Sequence, residues 1–311
     1  MNKILITGGA GFIGSCLAEK LAENTDNAIV IIDNFITGDE QKLPISTNNN
    51  IGFVKADVNN AEELSGIFTE NNFDYVFHYA ALVGVKRTTD NPAMVLNDIE
   101  GIKNILNFSR GKGVKRVYYS SSSEVYGEPV EFPQNEHTTP LNSRVPYAIV
   151  KNVCEAFLRS YKKEYGLDYT IFRFFNTYGS KQSKDFVISK FISLALQNKP
   201  ISIYGDGSQT RTFCFIDDNI SATVNAFYKQ QFVNDVVNVG GDIEVSVLDL
   251  ANTIIKLTGS NSVIEHLPAL TEGDMTRRKP DIAKMKTLLS SPLIVLEEGL
   301  KKVLSDTRYI L

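Results

Sequence analysis

Cysteine and histidine are both scarce in this chain of 311 residues, which contains three of each. The cysteines, Cys16, Cys154 and Cys214, form no CxxC pair and no even-numbered set, which argues against a disulfide framework and indicates the reducing cytoplasm. The histidines lie far apart in sequence and lack the ligand spacings of a zinc site. We therefore expect a cytoplasmic protein without a metal centre.

Long hydrophobic runs and an excess of basic charge are also missing. No apolar run approaches the roughly 18 residues that a transmembrane helix needs, and Met1 leads into a strand pattern rather than a signal peptide. The formal net charge is −4, whereas a surface that follows nucleic-acid phosphates usually carries a basic excess. We predict neither a membrane nor a nucleic acid as a partner.

The sequence does contain a regular alternation of short β-branched runs and helical patterns, which is typical of βαβ units. Strands are predicted over Lys3–Thr7, Ala28–Asp33, Gly52–Ala56, Asp74–Ala80, Lys115–Ser121 and Asp168–Phe174, and helices over Phe12–Glu23, Ala61–Glu70, Pro92–Arg110 and Tyr147–Tyr165. After Asn176 the rhythm changes, and Val236–Val239 reads as a strand that returns to the first sheet. We predict an α/β fold: a Rossmann-type doubly wound parallel sheet over residues 1–175, with a smaller, interleaved C-terminal α/β domain over 176–311, from which a segment near 211–240 returns.

A glycine-rich segment from Gly8 to Gly14 joins the first predicted strand to the first helix. Gly8 allows a tight turn, Gly11 lets the backbone approach a pyrophosphate, and Gly14 permits close packing of helix on strand. The free N–H groups at the start of the helix attract phosphate. The segment therefore predicts a dinucleotide site, with Phe12 and Ile13 inside it.

Two aspartates stand at the carboxyl ends of the next two predicted strands. Asp33, which precedes Asn34, is placed to bind the adenosine ribose hydroxyls and to repel a 2′-phosphate, which favours NAD over NADP. Asp57 is placed to meet the adenine. The alternative for each is a structural role, Asp33 capping a turn and Asp57 capping a helix.

A tyrosine–lysine pair and a run of serines follow the fifth predicted strand. Tyr147 and Lys151 stand four residues apart and so share one helix face, where the ammonium could lower the tyrosine pKa and make it a base. The run Ser120–Ser123 suits a loop that lines a polar pocket, or alternatively a turn whose hydroxyls bond their own backbone.

These motifs together resemble the extended short-chain dehydrogenase/reductase family, which contains NAD-dependent sugar-nucleotide epimerases, dehydratases and decarboxylases. The resemblance rests on Gly8–Gly14, on Ser122 with Tyr147-x-x-x-Lys151, and on Asn176–Gly179, and it spans nearly the whole chain. It implies NAD as the cofactor and a UDP-, GDP- or dTDP-linked sugar as the substrate. It also implies a homodimer formed through two of the helices, one of which carries Val153, Phe157 and Leu158.

The resemblance further implies a role for each matching residue. Cofactor binding is expected of Gly8, Gly11, Phe12, Ile13, Gly14, Asp33, Asn34, Asp57, Val58, Ala80, Ala81, Ser121, Tyr147 and Lys151. Substrate binding is expected of Lys86, Ser122, Ser123, Asn176, Arg211 and Arg278, of which Asn176 and the two arginines would hold the diphosphate. Catalysis is expected of Tyr147, Lys151, Ser122 and Glu124.

The expected first step is oxidation of the sugar at C4, with Tyr147 removing the hydroxyl proton. We expect a net 4-epimerase or 4-dehydrogenase. The alternative is a 4,6-dehydratase or a uronic-acid decarboxylase that uses Glu124, and the segment Arg278–Ile282 resembles the decarboxylases. A third interpretation, a non-catalytic module that senses dinucleotides, is disfavoured because Tyr147 and Lys151 are both present.

Overall fold

The computed structural model describes residues 1–269 and 277–306. Its strands are β1 (Asn2–Thr7), β2 (Asn27–Asp33), β3 (Ile51–Lys55), β4 (Tyr75–His78), β5 (Arg116–Ser122), β6 (Asp168–Phe174), β7 (Thr177–Tyr178), β8 (Ile201–Tyr204), β9 (Thr210–Thr212), β10 (Cys214–Phe215), β11 (Asp235–Val239), β12 (Glu244–Ser246) and β13 (Ile264–Leu267). Its helices are α1 (Phe12–Ala22), α2 (Ala61–Glu70), α3 (Val85–Asp90), α4 (Pro92–Val95), α5 (Asn97–Gly111), α6 (Pro146–Tyr165), α7 (Val187–Leu196), α8 (Ile216–Tyr228), α9 (Val247–Thr258), α10 (Ala283–Leu288) and α11 (Leu296–Ser305). None of these helices has the length and apolar character needed to cross a bilayer.

Seven strands form the central sheet of the described ranges, in the order β11-β6-β5-β4-β1-β2-β3, and every pair is parallel. The chain runs outward from β1 to β2 and β3, and then crosses back to β4 on the other side of β1. Ligands bind in the crevice that such a reversal opens at the carboxyl ends of the strands. The predicted Rossmann-type parallel sheet is confirmed, and β11 from the C-terminal half completes its edge.

The core lies on both faces of the sheet, as expected where helices cover a parallel sheet. In β1, Ile4 and Ile6 pack in one cluster with Leu17 of α1, whereas Leu5 packs in the other with Ile105 of α5. The alternation follows the two-residue period of a strand. This buried strand holds the glycine-rich turn at its carboxyl end.

Two predicted elements differ from the structure. The single helix predicted over Pro92–Arg110 is wrong at Leu96, where the amides of Leu96 and Ile99 bond carbonyls three residues back and tighten the turn between α4 and α5. The strand predicted over Asp74–Ala80 ends at His78, because the amides of Tyr79 and Ala80 donate to the side chain of Thr7 instead. The early end of β4 places Tyr79 and Ala80 at the crevice, where they bond Thr7 at the end of β1.

A fully buried ion pair joins α6 to β6. The carboxylate of Glu155 accepts from Arg173 Nε at 2.9 Å and Nη2 at 2.7 Å, and the two side chains are 0% and 1% exposed. Arg159, which is 41% exposed, adds a contact of 3.1 Å from the surface side. Burial raises the pKa of Glu155, but the hydrogen bonds and charge of Arg173 outweigh it and hold the pKa below its ordinary value.

We predict that Glu155→Gln lowers the free energy of unfolding at neutral pH by about 3 kcal/mol, because Arg173 is left as an uncompensated buried charge. Since the folded-state pKa of Glu155 is depressed, its contribution is complete above the unfolded value of 4.5 and is lost as pH falls through the folded pKa. Urea unfolding at several pH values should therefore show that the difference in free energy of unfolding between wild type and variant becomes smaller at acidic pH. Arg159→Gln is the control, and an equal loss in both variants would contradict the assignment.

Candidate active site

The glycine-rich turn is shaped for a pyrophosphate. Gly8 has φ +72°, and a Cβ there would lie 2.8 Å from the amide nitrogen of Ala80. A Cβ on Gly11 would lie 3.0 Å from the carbonyl oxygen of Gly8, and a Cβ on Gly14 would lie even closer to the same oxygen. The first turn of α1 has no side-chain cap at Gly11, so backbone N–H groups there suit an anion. The turn thus fits the diphosphate of NAD, with half-buried Phe12 and Ile13 following it.

Thr7 joins this turn to the end of β4. Its hydroxyl oxygen accepts from the amides of Tyr79 at 3.1 Å and Ala80 at 3.0 Å, and lies 2.8 Å from Nδ1 of His78. Burial, followed by the charge of Lys151, lowers the pKa of His78 to about 3, so the ring is neutral, and the direction of its hydrogen bond with Thr7 depends on the imidazole tautomer. Half-buried Ala80 and Ala81 are thereby fixed opposite the glycine turn.

Asp33 lies at the end of β2 and is 8% exposed. Its Oδ2 accepts from the amide of Ala10 at 3.0 Å, and its Oδ1 from the amide of Phe35 at 2.8 Å. Burial raises its pKa against the opposing effect of these two bonds. Each carboxylate oxygen can accept more than one hydrogen bond, so the structural role and ribose binding are compatible.

The other predicted cofactor residues are distributed along the same edge of the sheet. Asn34 accepts from the amide of Ile36, and Asp57 accepts from the amide of Asn59 ahead of α2. Val58 is 8% exposed and packs close to Gly101 of α5. Lys86 belongs to α3, but its side chain lies outside what the structure describes.

Lys151 lies on α6 one turn after Tyr147 and is 3% exposed. Its Nζ donates to the carbonyl oxygen of Ser120 at 2.7 Å and lies 5.7 Å from the centre of the Tyr147 ring. Burial lowers the pKa of Lys151, and the nearby carboxylate of Asp98 is the largest opposing influence. The helix therefore brings the predicted pair together at the end of β5.

The pKa of Tyr147 differs from the prediction. Burial and then the charge of Glu124 raise it above the ordinary tyrosine value, and a hydrogen bond with Ser122 acts in the opposite direction. Lys151 is not among the main influences on this pKa, and the expected lowering by Lys151 stays a prediction. The structure thus holds a neutral phenol with Ser122 beside it.

Asp98 is a site residue that the sequence did not reveal. It lies in the first turn of α5, and its two carboxylate oxygens accept from the amide of Leu82 at 3.0 and 3.3 Å. Burial raises its pKa, and Lys151 lowers it. A lone aspartate in the first turn of a helix carries no sequence signal beyond favourable interaction with the helix dipole.

The chain turns away from the sheet after Ser122, so Ser120–Ser122 end β5 and only Ser123 of the serine run lies in the turn rather than the strand, unlike the loop that the sequence predicted. Ser122 caps a short 3-10 turn over Ser123–Tyr126 by accepting from the amide of Glu124 at 3.2 Å. Ser121 is 3% exposed, and its hydroxyl donates to Glu155 at 2.6 Å. The turn therefore presents Ser122 and Glu124 while Ser121 points into the core.

Arg278 reaches this turn from the C-terminal half. Its Nη1 lies 2.7 Å from Oε1 of Glu124 and 3.3 Å from Oγ of Ser123, and its side chain is only 6% exposed. The sequence predicted a diphosphate ligand here, whereas the structure pairs the guanidinium with Glu124. The pairing was not predictable, because the partners stand 154 positions apart.

Asn176 and Arg211 lie near a second group of short strands. Asn176 follows β6 with φ +36°, and its Nδ2 donates to the carbonyl of Thr212 at 2.9 Å. Arg211, on β9, is half-buried, and its Nη1 donates to the carbonyl of Thr210. Their expected contact with a diphosphate stays a prediction.

Comparison with known proteins shows the family. Residues 4–240 match the model of the NAD dependent epimerase/dehydratase family. The chain is 35% identical to UDP-N-acetyl-alpha-D-glucosaminuronate decarboxylase of Bacillus cytotoxicus, over 99% of this chain and 98% of that protein. It is also 35% identical to UDP-glucuronic acid decarboxylase 1 of Danio rerio, over 97% of this chain and 72% of that protein.

Solved structures of similar proteins give the same result. UDP-glucose 4-epimerase of Thermotoga maritima, determined with UDP-glucose, has a TM-score of 0.91 at 32% identity and covers 98% of each chain. UDP-glucuronic acid 4-epimerase of Bacillus cereus, determined with UDP-glucuronic acid and NAD, has a TM-score of 0.87 at 31% identity and covers 97% of this chain and 99% of that one. The predicted cofactor and enzyme class are confirmed, and the interpretation as a non-catalytic module is set aside. The chain belongs to the NAD dependent epimerase/dehydratase family, and it is an NAD-dependent enzyme of the extended short-chain dehydrogenase/reductase type.

Proposed function

We propose that this enzyme oxidises a UDP-linked uronic acid at C4 and then releases its carboxyl group as carbon dioxide. The observation that carries the proposal is the Glu124–Arg278 pair, which lies beside Ser122 and Tyr147. Relatives named as decarboxylases of UDP-linked uronic acids, and a structural neighbour with UDP-glucuronic acid bound, support this substrate class. Of the outcomes expected from the sequence, the geometry favours the alternative that uses Glu124.

The first step needs a base at the C4 hydroxyl. Tyr147 removes the proton, Ser122 orients the oxygen through its hydroxyl, and Lys151 holds a positive charge one helix turn away. NAD, when bound along the glycine turn, supplies the two-electron oxidising capacity for this step. Because burial disfavours the phenolate, the hydrogen bond between Ser122 and Tyr147 is an important opposing influence on the tyrosine pKa.

The second step follows from the chemistry of a β-keto acid. With a ketone at C4, the C5–C6 bond can break, carbon dioxide leaves, and the bonding electron pair forms an enolate whose charge lies on the C4 oxygen. In the proposed step the hydroxyls of Ser122 and Tyr147, which lie side by side, donate hydrogen bonds to this oxygen. C5 then takes up one proton, which gives a 4-keto pentose. Return of the two electrons from the reduced cofactor to C4, with the proton of Tyr147 going to the C4 oxygen, would restore the hydroxyl and make the net reaction a loss of carbon dioxide alone.

The Glu124–Arg278 pair suits this second step. A planar guanidinium matches a carboxylate in shape and charge, and the pairing with Glu124 supports a role for Arg278 in binding the substrate carboxylate. A mostly buried ion pair is costly to form and seldom a source of net stability. Epimerisation at C4 requires proton handling only at C4, so a charged pair next to those groups favours chemistry at the neighbouring carboxyl.

A second candidate is 4-epimerisation of the same kind of substrate. The similarity to a protein named UDP-glucuronic acid 4-epimerase, determined with UDP-glucuronic acid bound, supports it. The two candidates share the C4 oxidation and differ in whether C5–C6 breaks. Product mass separates them.

The test is mass spectrometry of products after incubation with UDP-, GDP- and dTDP-linked sugars and their uronic acids. We expect loss of carbon dioxide from a UDP-linked uronic acid. An unchanged mass with a new chromatographic peak would establish the epimerase instead. Loss of water from a neutral sugar, or oxidation alone, would contradict the proposal.

We predict that Tyr147→Phe retains the bound cofactor but loses about 100- to 10,000-fold in kcat, because the general base is missing. Turnover is followed by product mass, and cofactor retention by the nucleotide released on denaturation. Tyr165→Phe, on the same helix but partly exposed, is the matched control. Near-normal turnover of the Tyr147 variant would rule out the proposed base.

We predict that Glu124→Gln strongly slows carbon dioxide release, to a rate that product mass still measures, and spares C4 oxidation. The negative charge of Glu124 raises the pKa of Tyr147, so its removal should move the acidic limb of the C4 oxidation rate to lower pH. Glu128→Gln, just outside the turn and exposed, is the control. Full-rate carbon dioxide release by the Glu124 variant would reduce this residue to a structural role.

We further propose that the enzyme works in a reducing compartment such as the cytoplasm. All three cysteines carry free thiols, and two of them, Cys154 and Cys214, are buried. No disulfide therefore contributes to the stability of the described ranges.

We also propose a homodimer formed through α6 and the α4–α5 region. Of the apolar residues noted on α6, Leu158 faces the core at 1% exposure, whereas Phe157 is 48% exposed. Ile149, Met94 and Leu96 are also at least 41% exposed. A second copy would cover such a patch, since large apolar patches on a surface commonly mark interfaces.

We predict that Phe157→Glu converts the dimer to a monomer, because a charge would be buried without a partner in the interface. Light scattering after size-exclusion chromatography measures the mass. Val263→Glu, at another exposed apolar position, should leave the dimer intact. A monomeric wild type, or a Phe157 variant that remains dimeric, would contradict the proposed interface.

A further inference from the structure

The buried Glu155–Arg173 pair contacts the catalytic turn at two separate points. At one end, Ser121 donates to Oε1 of Glu155 at 2.6 Å, immediately before Ser122. At the other, Nη1 of Arg173 donates to the hydroxyl of Tyr126 at 2.9 Å, and the guanidinium lies 4.8 Å from the centre of that ring. Tyr126 ends the turn that carries Glu124. One ion pair therefore holds both ends of the segment.

The Tyr126 end is also connected to the C-terminal half of the sheet. Its hydroxyl donates to Oδ1 of Asn238 on β11 at 2.7 Å, and the amide of Asn238 donates to Glu136 at 2.9 Å. Arg173 donates to the carbonyl of Glu136 at 3.1 Å. The strand that returns from the second half thus helps to set where Glu124 lies.

The burial of the residues in these contacts limits how they can influence catalysis. Glu155, Arg173 and Tyr126 are at most 1% exposed, and Ser121 is 3% exposed. They have no access to a bound sugar, so they do not act on it directly. They can act by restricting the turn, because close-packed interiors transmit small displacements.

We propose that Glu155 and Arg173 are positioning residues whose two contacts control different steps. The Ser121 contact aligns Ser122 for oxidation at C4, and the Tyr126 contact aligns Glu124 with Arg278 for the step that follows. The assignment of the second step rests on the proposed decarboxylation. The assignment of the clamp itself rests on the contacts described above.

The two contacts can be weakened one at a time. Ser121→Ala removes the first hydroxyl, and Tyr126→Phe removes the second while keeping the ring in place. Tyr161→Phe is the matched control, since its hydroxyl also bonds an asparagine, Asn107 at 2.9 Å, but lies away from the turn. Each variant is measured for kcat and KM of C4 oxidation, for the share of 4-keto sugar released with its carboxyl intact, and for amide hydrogen exchange.

We expect Ser121→Ala to lower kcat for C4 oxidation by about 10- to 100-fold with little change in KM, as a misaligned reacting group does. We expect Tyr126→Phe to oxidise C4 at a near-normal rate but to release more 4-keto sugar before carbon dioxide is lost. Amide exchange should accelerate within residues 121–127 in both variants and not in the control. These results would support two separable contacts.

The proposal would be overturned if both variants slowed both steps equally and the size of the loss followed the decrease in melting temperature. So would unchanged exchange in the turn. If the wild type releases no carbon dioxide at all, the proposed function fails by itself. The exchange data and the effect of Ser121→Ala on C4 oxidation then still decide whether the clamp exists.

Discussion

The contact between Arg173 and Glu155 is the interaction on which the catalytic edge of this protein depends. It joins β6 to α6, and it also contacts the ends of the turn that follows β5. Buried charges are tolerated only when they are paired and fully hydrogen-bonded, and Glu155 accepts from Arg173, Ser121 and Arg159. Because Glu155 lies on the helix face that carries Tyr147 and Lys151, the pair also fixes the rotation of that face relative to the sheet.

The charged side chains of the site form two pairs of opposite charge on either side of Tyr147. Lys151 lies near the carboxylate of Asp98, and Glu124 is held by Arg278, so the neutral phenol of Tyr147 lies between groups of opposite sign. Neighbouring charges of this kind shift pKa values by amounts that matter for acid–base catalysis. In the proposed mechanism the groups for C4 oxidation come from β5 and α6, whereas Arg278, which acts on the keto sugar, comes from the C-terminal half.

The parts of this architecture that the sequence predicted are those encoded by local patterns. The period of the strands, the glycine turn, and the spacing of Tyr147 and Lys151 each involve neighbouring residues, and they led to the parallel sheet and the cofactor. The helix break at Leu96 escaped prediction because a three-residue hydrogen-bond spacing leaves the apolar pattern intact. The partners of Thr7, Glu155 and Arg278 escaped because they depend on side-chain geometry between distant segments, for which one sequence carries no periodic signal.

The central claim is that Glu124 and Arg278 act as one unit on the keto sugar. A double-mutant cycle tests it most directly, with the rate of carbon dioxide release from a UDP-linked uronic acid measured for wild type, Glu124→Gln, Arg278→Gln and the double variant. Residues that act as a unit give strongly non-additive losses. We predict that the double variant is no slower than the more impaired single variant. Losses that multiply would show that the two residues act independently and would contradict the account.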